Sequence, residues 1–189
     1  MAKLYFYYSA MNAGKTTTLL QSAYNYEERG LAVQLFTPQL DDRYQVGLIR
    51  SRIGLEREAI AFASDYDFYA AIDAVHKRSK LACILVDEAQ FLSSKQVDDL
   101  ADVVDLLSIP VLAYGIRTDF LNRLFPGSQA LLAIADELIE LKTICACGRK
   151  ATTNPRFDGD GKRVKSGPQV EIGGNDRYIT LCRRCYKKN

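Results

Sequence analysis

The sequence predicts an α/β fold with a parallel sheet, followed by a small metal-stapled lobe. Residues 81–86 (LACILV) form an unbroken apolar run that ends at Asp87, the pattern of a strand buried on both faces. Further short apolar runs alternate with helix-period segments as far as Leu141, which is how an open α/β sheet reads. After Thr143 the alternation stops, Gly, Asn, Pro and Lys/Arg take over, and four of the five cysteines are found there.

The elements follow in order. Residues 3–8 (KLYFYY) read as a strand, and 9–16 as a small-residue loop. Residues 17–29 place Leu19, Leu20 and Ala23 at helical spacing, with Gly30 as a stop. Residues 32–37 (AVQLFT) are a second strand ended by Pro38, and 39–54 are a polar, Arg-rich loop containing Asp41, Asp42 and Arg43. A helix is expected over 65–79. Another is expected over 93–107, where Val97, Leu100, Val104 and Leu107 share a face and Ser93 with Gln96 forms a capping box. Residues 109–114 (IPVLAY) are a strand, 127–135 a helix and 137–141 an edge strand. The last segment shows no helix of good length and cannot build much core alone, so a metal staple is expected.

Charge marks the same border. Residues 1–141 carry 13 Lys/Arg against 19 Asp/Glu, and residues 142–189 carry 12 against 4. The overall formal charge of +2 gives no global steering toward nucleic acid or a membrane surface. No run of about 18 apolar residues occurs, and the start MAKLYFYYSAMNAGK lacks the apolar region of a signal peptide. A cytoplasmic, reducing compartment is therefore expected, with the cysteines in metal or core roles rather than in disulfides. Two units follow: residues 1–142, binding nucleotide, and residues 143–189, binding metal.

Ser9-Ala10-Met11-Asn12-Ala13-Gly14-Lys15-Thr16 matches the phosphate-loop pattern G-x-x-x-x-G-K-[ST], with Ser9 in place of the first glycine. The substitution is tolerable if Ser9 keeps ordinary backbone angles. Gly14 lets the backbone approach an anion, Lys15 reaches the β- and γ-phosphates, and Thr16 serves Mg²⁺. Successive N–H groups at the helix start cradle the phosphates. The strand ending at Asp87 is the partner that reaches the Mg²⁺ shell. Glu88 follows, where a carboxylate can take a proton from an attacking hydroxyl or water. Ala89 and Gln90 complete this second part of the nucleotide site. The pair implies ATP chemistry without fixing the acceptor: water would make an ATPase, a hydroxyl a kinase.

Cys145-Ala146-Cys147 and Cys182-Arg183-Arg184-Cys185 form a candidate closed Zn²⁺ site of four thiolates, structural rather than catalytic. Cys83 sits inside LACILV and reads as plain core. His76, the only histidine, lies among Lys77, Arg78 and Lys80 and reads as a solvated surface residue. Residues 169–178 (QVEIGGNDRY), taken alone, read as a hairpin turn without a ligand.

Taken together, LYFYYSAMNAGKT, the DDRY segment, ILVDEAQFL, YGIRTDF, the cysteine set and EIGGNDRY resemble the cytosolic-type (type II) thymidine kinases, especially the bacterial ones, over essentially the whole length. The resemblance implies a P-loop NTPase-like α/β domain with a small C-terminal zinc-binding lobe whose lasso loop closes over thymidine. It implies Glu88 as the base on the 5′-hydroxyl and Phe120 stacked on thymine. Backbone hydrogen bonds from Val170, Glu171, Ile172 and Gly173 would read the base, and Tyr178 would cover the site. Asp41 and Arg43 match an acidic–basic pair near the phosphates. The implied substrates are thymidine and ATP, with no nucleic-acid or membrane partner and a homotetrameric assembly. The chain departs from the family in having C-x-C at the first cysteine pair, where many members have C-x-x-C, and Cys185 stands where some have His. The alternative reading is a nucleic-acid-dependent ATPase with a zinc ribbon, suggested by the basic tail.

Overall fold

The structure, a computed structural model, describes residues 1–41, 45–170 and 177–188. Its frame is a six-stranded sheet in which every pairing is parallel. The strands and helices in chain order are β1 Leu4–Ser9, α1 Lys15–Glu27, β2 Ala32–Pro38, β3 Leu48–Arg50, β4 Glu56–Glu58, β5 Ile60–Phe62, α2 Phe68–Arg78, β6 Leu81–Val86, α3 Ser94–Leu107, β7 Val111–Ile116, α4 Pro126–Ile134 and β8 Glu137–Glu140. The sheet order is β5-β2-β6-β7-β1-β8.

Alternation along the central strands sends side chains to opposite faces. Leu4, Phe6, Ile84 and Val86 join a core under α2, α3 and α4 that includes Phe68, Ile72, Leu100, Val103 and Leu131. Cys83, Leu85, Leu112 and Tyr114 face the other way and pack on Leu19, Leu20 and Ala23 of α1. The strands are apolar on both sides because helices cover both sides, as LACILV predicted. The capping box at Ser93 and Gln96 is present, and β8 is an edge strand.

Two parts of the sequence reading need correction. The stretch 39–54 is not all loop: β3 pairs antiparallel with β4, and β5 then joins the sheet edge beside β2. The hairpin carries little hydrophobic signal because β4 is Glu-Arg-Glu, exposed throughout, and is held by Arg50–Glu56 and Arg57–Glu27 ion pairs. Its apolar anchor is Ile49, 2% exposed. His76 is half-buried rather than solvated; its Nδ1 accepts the Leu81 N–H at 3.0 Å, tying the end of α2 to the start of β6.

From Thr143 the chain builds a separate small core of Cys145, Ala151, Leu181 and Cys182. Its secondary structure is short: β9 Thr143–Ile144 against β10 Lys150–Ala151, and α5 Arg183–Lys188. A further ribbon is marked by the antiparallel bridges Thr153–Leu181 and Arg156–Tyr178. The two bridges share one register, so the stretches 153–156 and 178–181 run extended beside each other.

Candidate functional site

The carboxyl ends of β1, β6 and β7 lie side by side in the sheet, and such ends bound the ligand crevice of open α/β folds. At the end of β1 the chain turns directly into α1. Gly14 is the N-cap residue with φ +77°, and a Cβ built there meets nothing within 4 Å. The glycine is therefore required by its left-handed backbone, not by crowding. Ser9 has no positive φ, so the missing first glycine costs nothing locally. Its Oγ donates to the Ala10 carbonyl at 2.6 Å and accepts from Lys15 Nζ at 2.9 Å. Lys15 Nζ also donates to the Ala10 carbonyl at 3.2 Å. The ammonium is thus folded back over the loop whose N–H groups open α1.

At the end of β6, Asp87 is 5% exposed. Its Oδ2 accepts from Thr16 Oγ1 at 3.2 Å, and its Oδ1 accepts the Glu88 N–H at 3.0 Å. These are hard oxygen donors placed together, the set that suits Mg²⁺. Glu88 adopts a left-handed backbone, φ 48° and ψ 41°. Such a conformation costs a non-glycine residue about 1–3 kcal/mol and persists where the surroundings impose it. Here a single 3₁₀ turn, Ala89–Phe91, follows at once. Gln90 then reaches back: its Nε2 donates to Glu88 Oε2 at 2.5 Å, while its Oε1 accepts the Ile116 N–H at 3.1 Å. Gly115 makes room for this, since a Cβ there would fall 2.9 Å from Gln90 Oε1. The Glu88 carboxylate is consequently oriented from β7.

A cleft of about 370 Å³ opens over these strand ends. Met11, Asn12, Ala13, Gly14, Lys15, Thr16, Glu88 and Gln90 line it together with Phe120, Val170 and Tyr178. Ser9, Ala10, Asp87 and Ala89 lie beneath its surface, all under 7% exposed. Asp41 is in the wall. Arg43, Glu171, Ile172, Gly173 and most of the EIGGNDRY segment lie outside the described residues. Phe120 is 1% exposed, and the Arg156 guanidinium sits 4.2 Å from its ring centroid, a cation–π contact that fixes the ring. Gln169 Nε2 donates to Asp119 Oδ2 at 3.1 Å and to the Leu124 carbonyl at 3.2 Å, anchoring the chain just before Val170.

The four predicted cysteines converge. Their Sγ atoms all lie within 4.8 Å of one another, with Cys147 and Cys182 sulfurs 3.6 Å apart. Tetrahedral thiolates about 2.3 Å from a zinc ion stand roughly 3.8 Å apart, so the set fits Zn²⁺ in spacing and chemistry. All are free thiols. Backbone N–H groups of Cys147 and Cys182 bring the Cys145 thiol down to about 6, and that of Cys185 lowers Cys182. Hydrogen bonds from its thiol to the sulfurs of Cys147, Cys182 and Cys145 push Cys185 up to about 12. The tight C-x-C turn closes with Gly148 N–H donating to the Cys145 carbonyl at 2.8 Å. Cys83 is buried away from the cluster, and burial pushes its thiol to about 12.

Residues without a sequence signal join the two parts. Met11 N–H donates to Asn154 Oδ1 at 2.7 Å, and Thr180 Oγ1 donates to the Met11 carbonyl at 3.4 Å. Thr143 Oγ1 donates to the Asn12 carbonyl at 3.2 Å. The cysteine-bearing unit therefore grips the first half of the phosphate loop.

A sequence-family model described as "Thymidine kinase" matches residues 2–186. A Vibrio vulnificus protein named thymidine kinase is 60% identical over 188 residues, covering 100% of this chain and 98% of the relative. One from Colwellia psychrerythraea is 57% identical with the same coverage. One from Legionella pneumophila (strain Lens) is 59% identical over 189 residues, 90% of the relative.

Proposed function

The chain belongs to the thymidine kinase family, and from that premise we propose that it transfers the γ-phosphate of ATP to the 5′-hydroxyl of thymidine, giving thymidine monophosphate. The observation that carries the reading is the meeting, in one cleft, of the phosphate loop, Glu88 and the Phe120–Val170–Tyr178 wall. Residues 1–142 supply the nucleotide half, and residues 143–189, the zinc-binding lasso domain, supply part of the nucleoside half.

In this reading the N–H groups at the start of α1 cradle the ATP phosphates, and Lys15 neutralises charge on the β- and γ-phosphates. Thr16 and Asp87 would hold the Mg²⁺ that accompanies ATP, whose role is to offset negative charge as the phosphoryl group moves. Glu88, aimed by Gln90, takes the proton as the 5′-oxygen bonds to the γ-phosphorus and the bond to the β,γ-bridging oxygen breaks. ADP leaves. Phe120 positions the base, with Val170, Glu171, Ile172 and Gly173 offering backbone groups to its edge and Tyr178 closing the site. Recognition by hydrogen bonds rejects analogues that leave those groups unpaired. Cys145, Cys147, Cys182 and Cys185 would hold one structural Zn²⁺ that fixes both ends of the small unit. The reading includes a homotetramer in the cytoplasm, on the strength of the family resemblance, and no helix among the described residues is long and apolar enough to cross a membrane.

The test is direct. Labelled ATP is supplied with thymidine, and separately with DNA. Thymidine monophosphate is the expected product of the first incubation. DNA-stimulated phosphate release with no labelled nucleotide product would replace the kinase with the ATPase alternative.

A further inference from the structure

One side chain in the cleft wall is left half-used. Asn154 is 2% exposed and lines the cleft. Its Oδ1 accepts the Met11 N–H at 2.7 Å. Because Met11 N–H can only donate, the amide orientation is determined: the atom facing Met11 must be the oxygen, and the other must be the NH₂ donor. That donor, Nδ2, is buried without an acceptor among the described residues. Buried amide donors are almost always satisfied, and leaving one unmade is costly. An acceptor supplied by a ligand resolves the deficit.

The ribbon shows where that acceptor would come from. The bridges Thr153–Leu181 and Arg156–Tyr178 set a register in which Asn154 stands opposite Thr180. Residues two apart on an extended strand share a face, so Asn154 and Arg156 point the same way. Arg156 lies on the Phe120 ring, and its cross-strand partner Tyr178 lines the cleft. Asn154 and Thr180 together hold the N–H and the carbonyl of Met11. The face of the ribbon thus runs from the phosphate loop to the aromatic that is proposed to stack on the base. Asn154 occupies the phosphate-loop end of that face.

We infer that Asn154 is a specificity-determining residue with two sides: Oδ1 fixes the phosphate loop at Met11, and Nδ2 donates to a carbonyl oxygen of the pyrimidine base. The inference rests on the thymidine reading. It adds a side-chain donor to a base site otherwise assigned to backbone groups. A base carrying a carbonyl beside Phe120 satisfies the buried donor, and a base presenting an amino group there leaves it unpaired and adds a repulsive contact.

Thio-substituted nucleosides test this in the full-length enzyme. Thymidine, 2-thiothymidine and 4-thiothymidine are compared as acceptors for wild type and for Asn154→Ala, with ATP saturating. Sulfur accepts hydrogen bonds weakly. In wild type, one of the two thio analogues should lose on the order of tenfold in kcat/KM relative to thymidine, the scale of one lost hydrogen bond. In Asn154→Ala that loss should vanish, while the other analogue behaves alike in both enzymes. Asn154→Asp, which keeps an oxygen for Met11 N–H but removes the donor, should abolish the same discrimination. It also serves if the alanine variant does not fold. Thio effects equal in wild type and both variants, or absent from wild type, overturn the inference. Failure of wild type to phosphorylate thymidine at all overturns the kinase reading instead, so the two outcomes are distinguishable.

Discussion

The sheet and the cysteine unit obtain their structure by different means. The sheet is covered on both faces by helices, and its two cores gather Phe6, Phe36, Phe68, Ile84, Leu85, Leu100 and Tyr114 at less than 1% exposure. Burial of apolar side chains on that scale holds a fold without help. The cysteine unit has four buried core residues among those described, two of them cysteines of the cluster, and strands of two residues. A core this small gives little stability by itself, which is the reason a metal held by the four cysteines is proposed for it. Yet the two meet at Met11 and Asn12, so the less self-sufficient unit positions part of the loop that the more stable one carries. In the proposed function, chemistry falls to the strand ends and selectivity to the ribbon beside the cysteine cluster.

Variants on each side of this divide should behave differently. The largest effect is expected from Lys15→Ala, which in the proposed function removes a positive charge from where negative charge develops; turnover should fall on the order of 10²-fold or more. Thermal unfolding should hardly move, because the Lys15 head bonds to Ser9 Oγ and the Ala10 carbonyl of its own loop. Retention of more than half the turnover would detach the loop from the chemistry. Next comes Phe120→Ala. Stacking worth about 1–3 kcal/mol should be lost, raising KM for thymidine far more than KM for ATP. Equal effects on both would make Phe120 ordinary core. Smallest is Ser93→Ala, which breaks the cap of α3 and should cost about 0.5–2 kcal/mol of stability, read by denaturant unfolding. Both Michaelis constants should stay unchanged, since α3 supports the sheet and not the ribbon.

The same divide explains what the sequence made legible. The central strands are readable because burial on both faces leaves apolar runs, as at residues 81–86, whereas β5, three residues at the sheet edge, is too short to leave one. The phosphate loop and the cysteines were readable because their chemistry allows few residue types at fixed spacing. The β3–β4 hairpin escaped because its strands carry exposed charges where alternating apolar residues would mark them, with Ile49 buried beneath. Asn154 and Thr180 escaped for a different reason. Their roles arise from a cross-strand register between distant segments, and an Asn before a Pro in a basic stretch carries no local sign of it. Gln90 was placed at the site by its neighbourhood, but its link from Ile116 to Glu88 becomes visible only once β7 lies beside β6.

The central claim is that metal in the cysteine cluster organises the nucleoside side of the cleft while the sheet stands alone. Its most direct test is hydrogen exchange across the chain before and after zinc chelation, with metal content measured by elemental analysis and thymidine and ATP titrated in parallel. One zinc per chain is expected at the start. On its removal, amides in residues 143–170 and 177–188 should lose protection and thymidine affinity should collapse, while amides of β1, β6 and β7 stay protected and ATP still binds. Freshly purified protein without metal, or uniform loss of protection with equal loss of both ligands, would contradict the account.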